Sequence, residues 1–378
     1  PGASGLAHLF EHLMFAGSAH VASGEHLAVL EAASASVNGT TTADRTNFFE
    51  TVPPAALELA LWLEADRMAG LTIDQPNLDT QREVVKEEKR QRYDNRPYGD
   101  LVELLLQLNF PETHPYHHPT IGSMADLDGA DLRQVRTFFS HWYRPGNAVL
   151  TLVGPISPDQ GFDLAARYFG WIPDAGAGSP ASLQPLPAHQ DSPRLVVRGR
   201  VPQDAVYLCW RVPPVTDDAS YAVTTTLSVL ADGQSSRLPR LLVRERNMAD
   251  AVSALDFSFA RGTSLACIAL RLRDGTDPTR ASELVLEELT KLANQGPAER
   301  ELARVQAGVD REWLSQLAAV DNRADEISAG LTLLDDPARI NHELDLIHRV
   351  DARQVADTAA HWLSPDSCAV LEYRREVG

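Results

Sequence analysis

The sequence predicts an α+β protein of two duplicated domains, each a mostly antiparallel sheet with helices packed on one face. Three observations support this prediction: strand patterns joined by short turns, helical patterns gathered in separate blocks, and a segment that recurs late in each half. A length of 378 residues also exceeds that of an ordinary single core, which favours two domains.

The recurring segment relates the two halves of the chain. DLRQVRTFFSHWYRPGNAVLTL begins at Asp131, and DARQVADTAAHWLSPDSCAVLEY begins at Asp351. The Arg-Gln-Val, His-Trp and Pro positions of the first copy recur 220 positions later, in one ungapped register. Each copy has the pattern of an amphipathic helix, a proline-containing turn and a strand. We therefore expect a tandem duplication. This register would put the start of the first copy a few dozen residues before Pro1, so we expect the first domain to lack an N-terminal strand.

Hydrophobic periodicity predicts the elements of the first domain, residues 1–173. Apolar residues at three- and four-residue spacing predict helices over 4–16, 24–35, 54–69, 76–94 and 128–142. Alternation of apolar and polar residues predicts strands over 36–42, 46–52 and 147–154.

A linker and a second domain follow. Residues 174–193, DAGAGSPASLQPLPAHQDSP, are rich in Gly, Pro, Ser and Ala and have no periodicity, which indicates a linker. Residues 194–378 form the second domain, with a helix over 217–230 and further helices after residue 273. Its predicted strands cover 194–201, 204–213, 249–258, 263–272 and 367–373.

Composition excludes several classes of protein. The formal net charge of −18 argues against a nucleic-acid backbone as partner. The sequence contains no run of about 18 apolar residues, so we expect no membrane span. The three cysteines, Cys209, Cys267 and Cys368, are odd in number and lie in apolar runs, which predicts buried free thiols.

The first predicted helix carries the stretch HLFEHLMF, residues 8–15. His8 and His12 are four positions apart, so both imidazoles leave one face of the helix and can hold one metal ion. Glu11 borders the same face. Two neutral imidazoles beside a carboxylate suit zinc and a bound water, and H-x-x-E-H is the inverted zincin motif. The alternative is a chance match between ordinary helix residues.

A third ligand can be sought on the helix over residues 76–94. Glu83 and Glu87 fall on its solvated face, whereas Glu88 points toward the core, where an unpaired carboxylate is costly. A metal ion would remove that cost, because hydrolytic zinc sites with two histidines favour a carboxylate as the third ligand. The alternative is an ion pair between Glu88 and an arginine. The apolar stripe that Glu88 joins consists of Leu78, Gln81, Val84 and Val85.

These residues resemble the pitrilysin/insulinase family of zinc peptidases, which includes the mitochondrial processing peptidases. Glu88 lies 76 positions after His12, the separation typical of that family. The stretches VNGTTTADRTNFFETVP, TQREVVKEEKRQRYDNRPYG and HPYHHPTIGSMADL are similar to its bacterial members. The resemblance is strong over residues 1–155 and weaker beyond, through GQSSRLPRLLVRER.

The resemblance implies roles for individual residues. The zinc ligands would be His8, His12 and Glu88, and Glu11 would be the general base. The substrate peptide would add as a strand to the sheet edge formed by Asn38, Gly39, Thr40 and Thr41. On the residues alone, Asn38-Gly39 is better explained as a turn or bulge.

The sequence departs from the family pattern at two places. Many members have a second glutamate seven positions before the zinc ligand, where it helps to tune the site, and here that position is Gln81. Many also carry an Arg and a Tyr in a later domain that reach the substrate carbonyl. Arg244 matches the arginine, but Asp250 stands near the place of the tyrosine. The second domain has no histidine in the matching helix, TTLSVLADGQSS, so we expect one zinc ion per chain.

The sequence therefore predicts a zinc-dependent endopeptidase that cleaves peptides or unfolded segments through a zinc-activated water. Two alternatives remain open: a catalytically idle or scaffold subunit of a peptidase-like complex, and a non-hydrolytic zinc-binding protein. Retention of Glu11 beside the complete ligand set favours the enzyme, because a structural site has no use for an adjacent carboxylate. The resemblance also implies a partner: a second copy, a homologous metal-less chain or a fused second half.

Overall fold

The computed structural model describes residues 2–174 and 182–376, so residues 175–181 of the predicted linker lie outside the described part. The chain forms two compact units whose sequences interleave. The first unit contains residues 1–94, 118–181 and 315–340, and the second contains 95–117, 182–314 and 341–378. The domain bounds expected from the sequence, with one domain on each side of the linker, stay a prediction.

Helices and strands take these bounds. The helices are α1 Leu6–Leu13, α2 Glu25–Ala32, α3 Leu57–Gly70, α4 Gln75–Lys89, α5 Leu101–Asn109, α6 Met124–Gly129, α7 Leu132–Trp142, α8 Pro158–Phe169, α9 Ala219–Ala231, α10 Pro278–Gln295, α11 Glu299–Gln316, α12 Val320–Leu334, α13 Glu343–His348 and α14 Ala352–His361. The strands are β1 Ser36–Thr41, β2 Thr46–Thr51, β3 Arg194–Gly199, β4 Ala205–Val212, β5 Ala249–Phe257, β6 Ser264–Leu272 and β7 Ala369–Arg375. Across the described ranges, no helix has both the length and the apolar character that crossing a bilayer requires.

The first unit is built around the antiparallel hairpin β1–β2. Its register runs from Ser36 opposite Thr51 to Thr41 opposite Thr46. Helices α1, α2 and α12 contact this hairpin, and α4 packs against α1. The unit therefore brings the histidine-bearing helix, the acid-rich helix and a sheet edge to one place.

Helix α4 shows how one face of an acid-rich sequence becomes a core face. Asp74 caps the helix by accepting from the backbone N–H of Asn77 at 2.9 Å, and Leu78 and Val85 are fully buried. The inclusion of Val84 in the apolar stripe was wrong, since its side chain is 45% exposed. Side chains of adjacent helical residues point about 100° apart, so burial of Val85 places Val84 at the edge of the buried face of the helix. The predicted solvated face is confirmed by the exposed glutamates Glu83 and Glu87.

The second unit contains a five-stranded sheet in the order β3-β7-β4-β6-β5. Its pairs are antiparallel except β3–β7, which is parallel. Strands β4 and β6 are buried along almost their whole length, because apolar clusters cover both faces of the sheet. The α+β class with antiparallel-dominated sheets is thus confirmed.

The two copies of the repeat fold alike up to the turn and then differ. Helices α7 and α14 each begin with a capping box, formed by Asp131 with Gln134 and by Asp351 with Gln354. A 3₁₀ turn follows each helix. The second copy then forms β7, but the predicted strand over 147–154 was wrong, because these residues adopt no strand conformation. β7 lies between β3 and β4, whereas no strand of the described chain pairs with residues 148–153.

The prediction of three free thiols was wrong for two of the cysteines. Cys209 on β4 and Cys267 on β6 are register partners and form a disulfide. Sequence spacing does not reveal such a pair, because the two strands are joined through a helix and a third strand. Cys368 is a buried free thiol, as predicted.

Candidate metal centre

Helix α1 sets the direction of both histidines. Its apolar residues Leu9, Phe10 and Leu13 are almost completely buried, which anchors the opposite face toward α4 and β1. The imidazole rings of His8 and His12 leave that face one helical turn apart, with centroids separated by 5.0 Å. The i, i+4 spacing therefore produces the arrangement that the sequence predicts.

Glu88 of α4 faces both imidazoles. Its Oε2 atom lies 3.6 Å from Nε2 of His8 and 3.3 Å from Nε2 of His12. The three groups offer ligand atoms that all lie within 4.8 Å of one another. Two donors bound to one tetrahedral zinc ion lie about 3.3 Å apart, so these separations fit a shared ion. The donor set, two nitrogens and one oxygen, leaves a fourth position for water or substrate.

The charges around these donors also fit a cation. Burial lowers the pKa of His8 to about 4, so its imidazole is neutral near pH 7 and has a lone pair to share. Arg92 pairs with the other oxygen of Glu88, at 2.7 Å from Oε1. The arginine alternative raised for Glu88 is therefore real, but it occupies only the oxygen that faces away from the histidines.

Glu11 is held beside this cluster by strand β1. The hydroxyl of Thr41 donates to Oε2 of Glu11. A Cβ atom at Gly39 would come within 3.0 Å of Oε1, so the glycine lets the strand approach the carboxylate closely. Burial raises the pKa of Glu11, and the hydrogen bond from Thr41 opposes that effect. The carboxylate is thus both oriented and made more basic.

Four of the predicted substrate-binding residues, Asn38 to Thr41, lie along β1. Asn38 and Gly39 are inside the strand, so their interpretation as a turn was wrong; Asn38 Oδ1 instead accepts from the Gly39 N–H at 2.9 Å. Asn38 and Thr40 are exposed. In the described residues β1 pairs only with β2, which leaves its other edge with unpaired backbone groups. Thr41, expected to face substrate, contacts Glu11, a role that sequence reasoning missed.

The remaining predicted residues are Gln81, Arg244 and the nearby Asp250. Gln81 is half-buried on α4, two turns before Glu88. Arg244 belongs to the second unit, where it donates to Gln234 at 2.9 Å, and Asp250 of that unit pairs with Arg273 at 3.0 Å. Their roles in catalysis stay predictions.

Family models match most of the chain. Residues 1–123 match the model described as Insulinase (Peptidase family M16), and residues 130–309 match the model described as Peptidase M16 inactive domain. The chain belongs to the pitrilysin/insulinase family. The first match contains all the residues of the cluster described above. The second match covers most of the second unit, in whose described residues no comparable group of metal-ligating side chains is found.

Individual relatives agree with the family. The chain is 27% identical to a Helicobacter pylori protein named zinc protease PqqE, over 84% of this chain and 71% of that one. A crystal structure of a protease from Helicobacter pylori superposes with a TM-score of 0.90 at 23% identity, covering 99% of this chain and 89% of that one. Pitrilysin superposes with a TM-score of 0.77 at 18% identity, and the match spans 98% of this chain but 40% of pitrilysin. Below 25% identity these superpositions show a shared fold.

This family member also contains a second buried cluster of charged groups, which sequence reasoning missed. Nε2 of His26 lies 3.3 Å from Glu50 and 3.6 Å from Glu64. The guanidinium of Arg67 lies 2.5 Å from Glu64, stacks over the ring of Phe15 at 4.8 Å and is 1% exposed. The arginine already supplies the positive charge that these carboxylates need, which disfavours a metal ion there.

Burial controls the protonation of this second cluster. It raises the pKa of Glu64 to about 7 and also raises that of Glu50, and it lowers the pKa of His26 to about 4. Near neutral pH the histidine is therefore neutral, and the two carboxyl groups are hydrogen-bonded to each other. A proton held between carboxylates beside one arginine leaves the cluster close to neutral overall.

Proposed function

We propose that this chain is a zinc-dependent endopeptidase that hydrolyses peptides or unfolded segments. The observation that supports this most strongly is the convergence of His8, His12 and Glu88, with Glu11 held beside them. The membership of the chain in a metallopeptidase family supports the same conclusion. A structural zinc site would close its coordination with four protein ligands, whereas these three donors leave one position open.

The residues suggest how the reaction proceeds. Zinc, when bound by the three donors, would polarise the scissile carbonyl and lower the pKa of a water to about 7. Glu11 takes the proton from that water; Oε2 is engaged by Thr41, so Oε1 is the receiving atom. The same carboxyl group then returns the proton to the leaving amine. Its raised pKa suits this exchange, because efficient acid–base catalysis needs a pKa near the working pH.

The open edge of β1 supplies a place for the substrate backbone. An extended peptide can add to an unpaired edge through main-chain hydrogen bonds, which are independent of side-chain sequence. The exposed residues Asn38 and Thr40 belong to this strand. Gly39 and Thr41 of the same strand contact Glu11. Binding there would bring a peptide carbonyl toward the metal centre.

A catalytically idle subunit is the second candidate. The description of the second family model as an inactive domain favours it. That model matches residues 130–309, which exclude the ligands and Glu11, so it does not weigh against chemistry in residues 1–123. Idle relatives usually lose ligands, and this chain retains all of them.

A partner chain completes the proposal. The residue near the expected substrate-facing tyrosine is Asp250, and the match to pitrilysin spans 40% of that longer protein. We infer that a second copy, a homologous metal-less chain or a fused second half covers the site during reaction. Covering would exclude water and so strengthen the electrostatic interactions in the transition state.

The test is Glu11→Gln, with Glu87→Gln as the matched control on an exposed glutamate. Glutamine keeps the size and accepts from Thr41 but cannot take a proton. Hydrolysis of a fluorogenic unfolded peptide should fall by about 10²–10⁴-fold in Glu11→Gln and stay unchanged in the control. Both should retain about one zinc per chain. Near wild-type activity in Glu11→Gln would exclude the mechanism.

A further inference from the structure

The position of Glu11 depends on strand β1. One carboxylate oxygen accepts from the Thr41 hydroxyl, and the other lies against the backbone at Gly39. Both contacts come from the same strand. A displacement of β1 by a fraction of an ångström would therefore move the carboxylate, its orientation, or both.

The end of β1 that carries Thr41 is the turn end of the hairpin. Thr41 pairs with Thr46, the last pair of the register, and their hydroxyl oxygens lie 3.4 Å apart. The turn itself closes with the N–H of Thr42 donating to the Arg45 carbonyl at 2.8 Å. In the described part β2 is the only strand that pairs with β1, so whatever holds this turn also holds Thr41.

A helix far away in sequence holds that turn. The carboxylate of Asp325 on α12 forms an ion pair with the guanidinium of Arg45. Its Oδ1 atom also accepts a hydrogen bond from Nδ2 of Asn47 at 2.8 Å. These two donors flank Thr46. The Arg45 side chain is 11% exposed and the Asp325 side chain is 47% exposed. The arginine is therefore largely buried, whereas the carboxylate that pairs with it is accessible to solvent.

We propose that Asp325 is a positioning residue for the catalytic base. It fixes the β1–β2 turn through Arg45 and Asn47, and the turn fixes Thr41 against Glu11. This inference rests on the proposed peptidase function. A half-exposed ion pair adds little to folding stability, so the contact matters for geometry more than for the free energy of unfolding. Misplacement of a reacting group by about 1 Å can cost about 10²-fold in rate.

The experiment compares Asp325→Ala with Asp321→Ala, both in the wild-type and in the Glu11→Gln background. Asp321 is a matched control: it is exposed, lies one turn earlier on α12 and accepts from the N–H of Asn322. We expect Asp325→Ala to lower kcat by about 10- to 100-fold with zinc content and melting temperature unchanged, and Asp321→Ala to leave kcat unchanged. Because Asp325 acts through Glu11, its removal should cost no further activity in the Glu11→Gln background.

Amide hydrogen exchange over residues 41–47 gives a readout that needs no activity. We expect faster exchange there in Asp325→Ala and no change in Asp321→Ala. An unchanged exchange rate in Asp325→Ala would refute the proposal that Asp325 stabilises the turn. Faster exchange with unchanged kcat, or equal losses in both backgrounds, would overturn the positioning role while leaving the peptidase proposal intact. A zinc-loaded wild-type chain without activity, tested with and without a homologous partner, would overturn both.

Discussion

Replacement of Glu64 by glutamine should change how the stability of this protein depends on pH. Glu64 lies in the buried cluster with Glu50, His26 and Arg67, and its side chain is 25% exposed. Burial raises its pKa from 4.5 to about 7. Glutamine resembles the protonated carboxyl group in size and polarity, so the variant mimics the neutral form at every pH.

The magnitude follows from the difference between folded and unfolded pKa values. Below pH 4.5 both states hold the proton, and the group has no pH-dependent effect. Between pH 4.5 and about 7 the unfolded chain has released it while the folded protein retains it, so the free energy of unfolding falls as pH rises. Each pKa unit is worth about 1.4 kcal/mol, so the loss reaches about 3 kcal/mol above pH 7.

Urea unfolding of wild type and Glu64→Gln at pH 5 and pH 8 measures this difference. Other titrating groups affect both proteins alike and cancel in the comparison. We expect similar stability at pH 5, and at pH 8 a variant that is more stable than wild type by about 2–3 kcal/mol. An equal change between the two pH values in both proteins would refute the reasoning, because Glu64 would then titrate normally.

Three further predictions concern the candidate site. The double variant His8→Ala/His12→Ala should lose its zinc, measured by metal analysis, with little change in melting temperature; full zinc occupancy would refute the ligand assignment. Gly39→Ala should lower kcat by about tenfold or more with zinc retained, because its Cβ would press on Glu11, and wild-type kcat would contradict that contact. On dilution, sedimentation and peptidase assays run in parallel should show activity falling with dissociation, whereas an active monomer at constant specific activity would refute the need for a partner.

Much of the candidate metal site could be predicted from the sequence because its geometry is local. The i, i+4 spacing places His8 and His12 on one face of a helix, and helix α4 turns Glu88 inward by its own periodicity. The position of α4 against α1 is not local, and there the resemblance to a known family supplied the pairing. Helix and strand periodicity also predicted β1, β2 and all the strands of the second unit.

Contacts between distant segments account for what the sequence did not reveal. Thr41 reaches Glu11 only because β1 packs against α1, and Asp325 reaches Arg45 across 280 positions. The strand predicted over 147–154 has a good alternating pattern, but a strand needs hydrogen-bonded neighbours, and pattern alone does not provide them. The disulfide likewise depends on which strands become adjacent, a property of sheet order rather than of spacing.

The interleaving of the two units has a consequence for synthesis on the ribosome. The first unit needs residues 315–340, which are made long after residues 1–94. The hairpin ends at residue 51 and α12 ends at residue 334, so at about 5–20 residues per second the hairpin waits roughly 14–57 s for α12 to be made. During that interval the turn of the hairpin has no Asp325 to hold it. The nascent chain therefore carries the proposed metal ligands well before the contact proposed to position Glu11 can form.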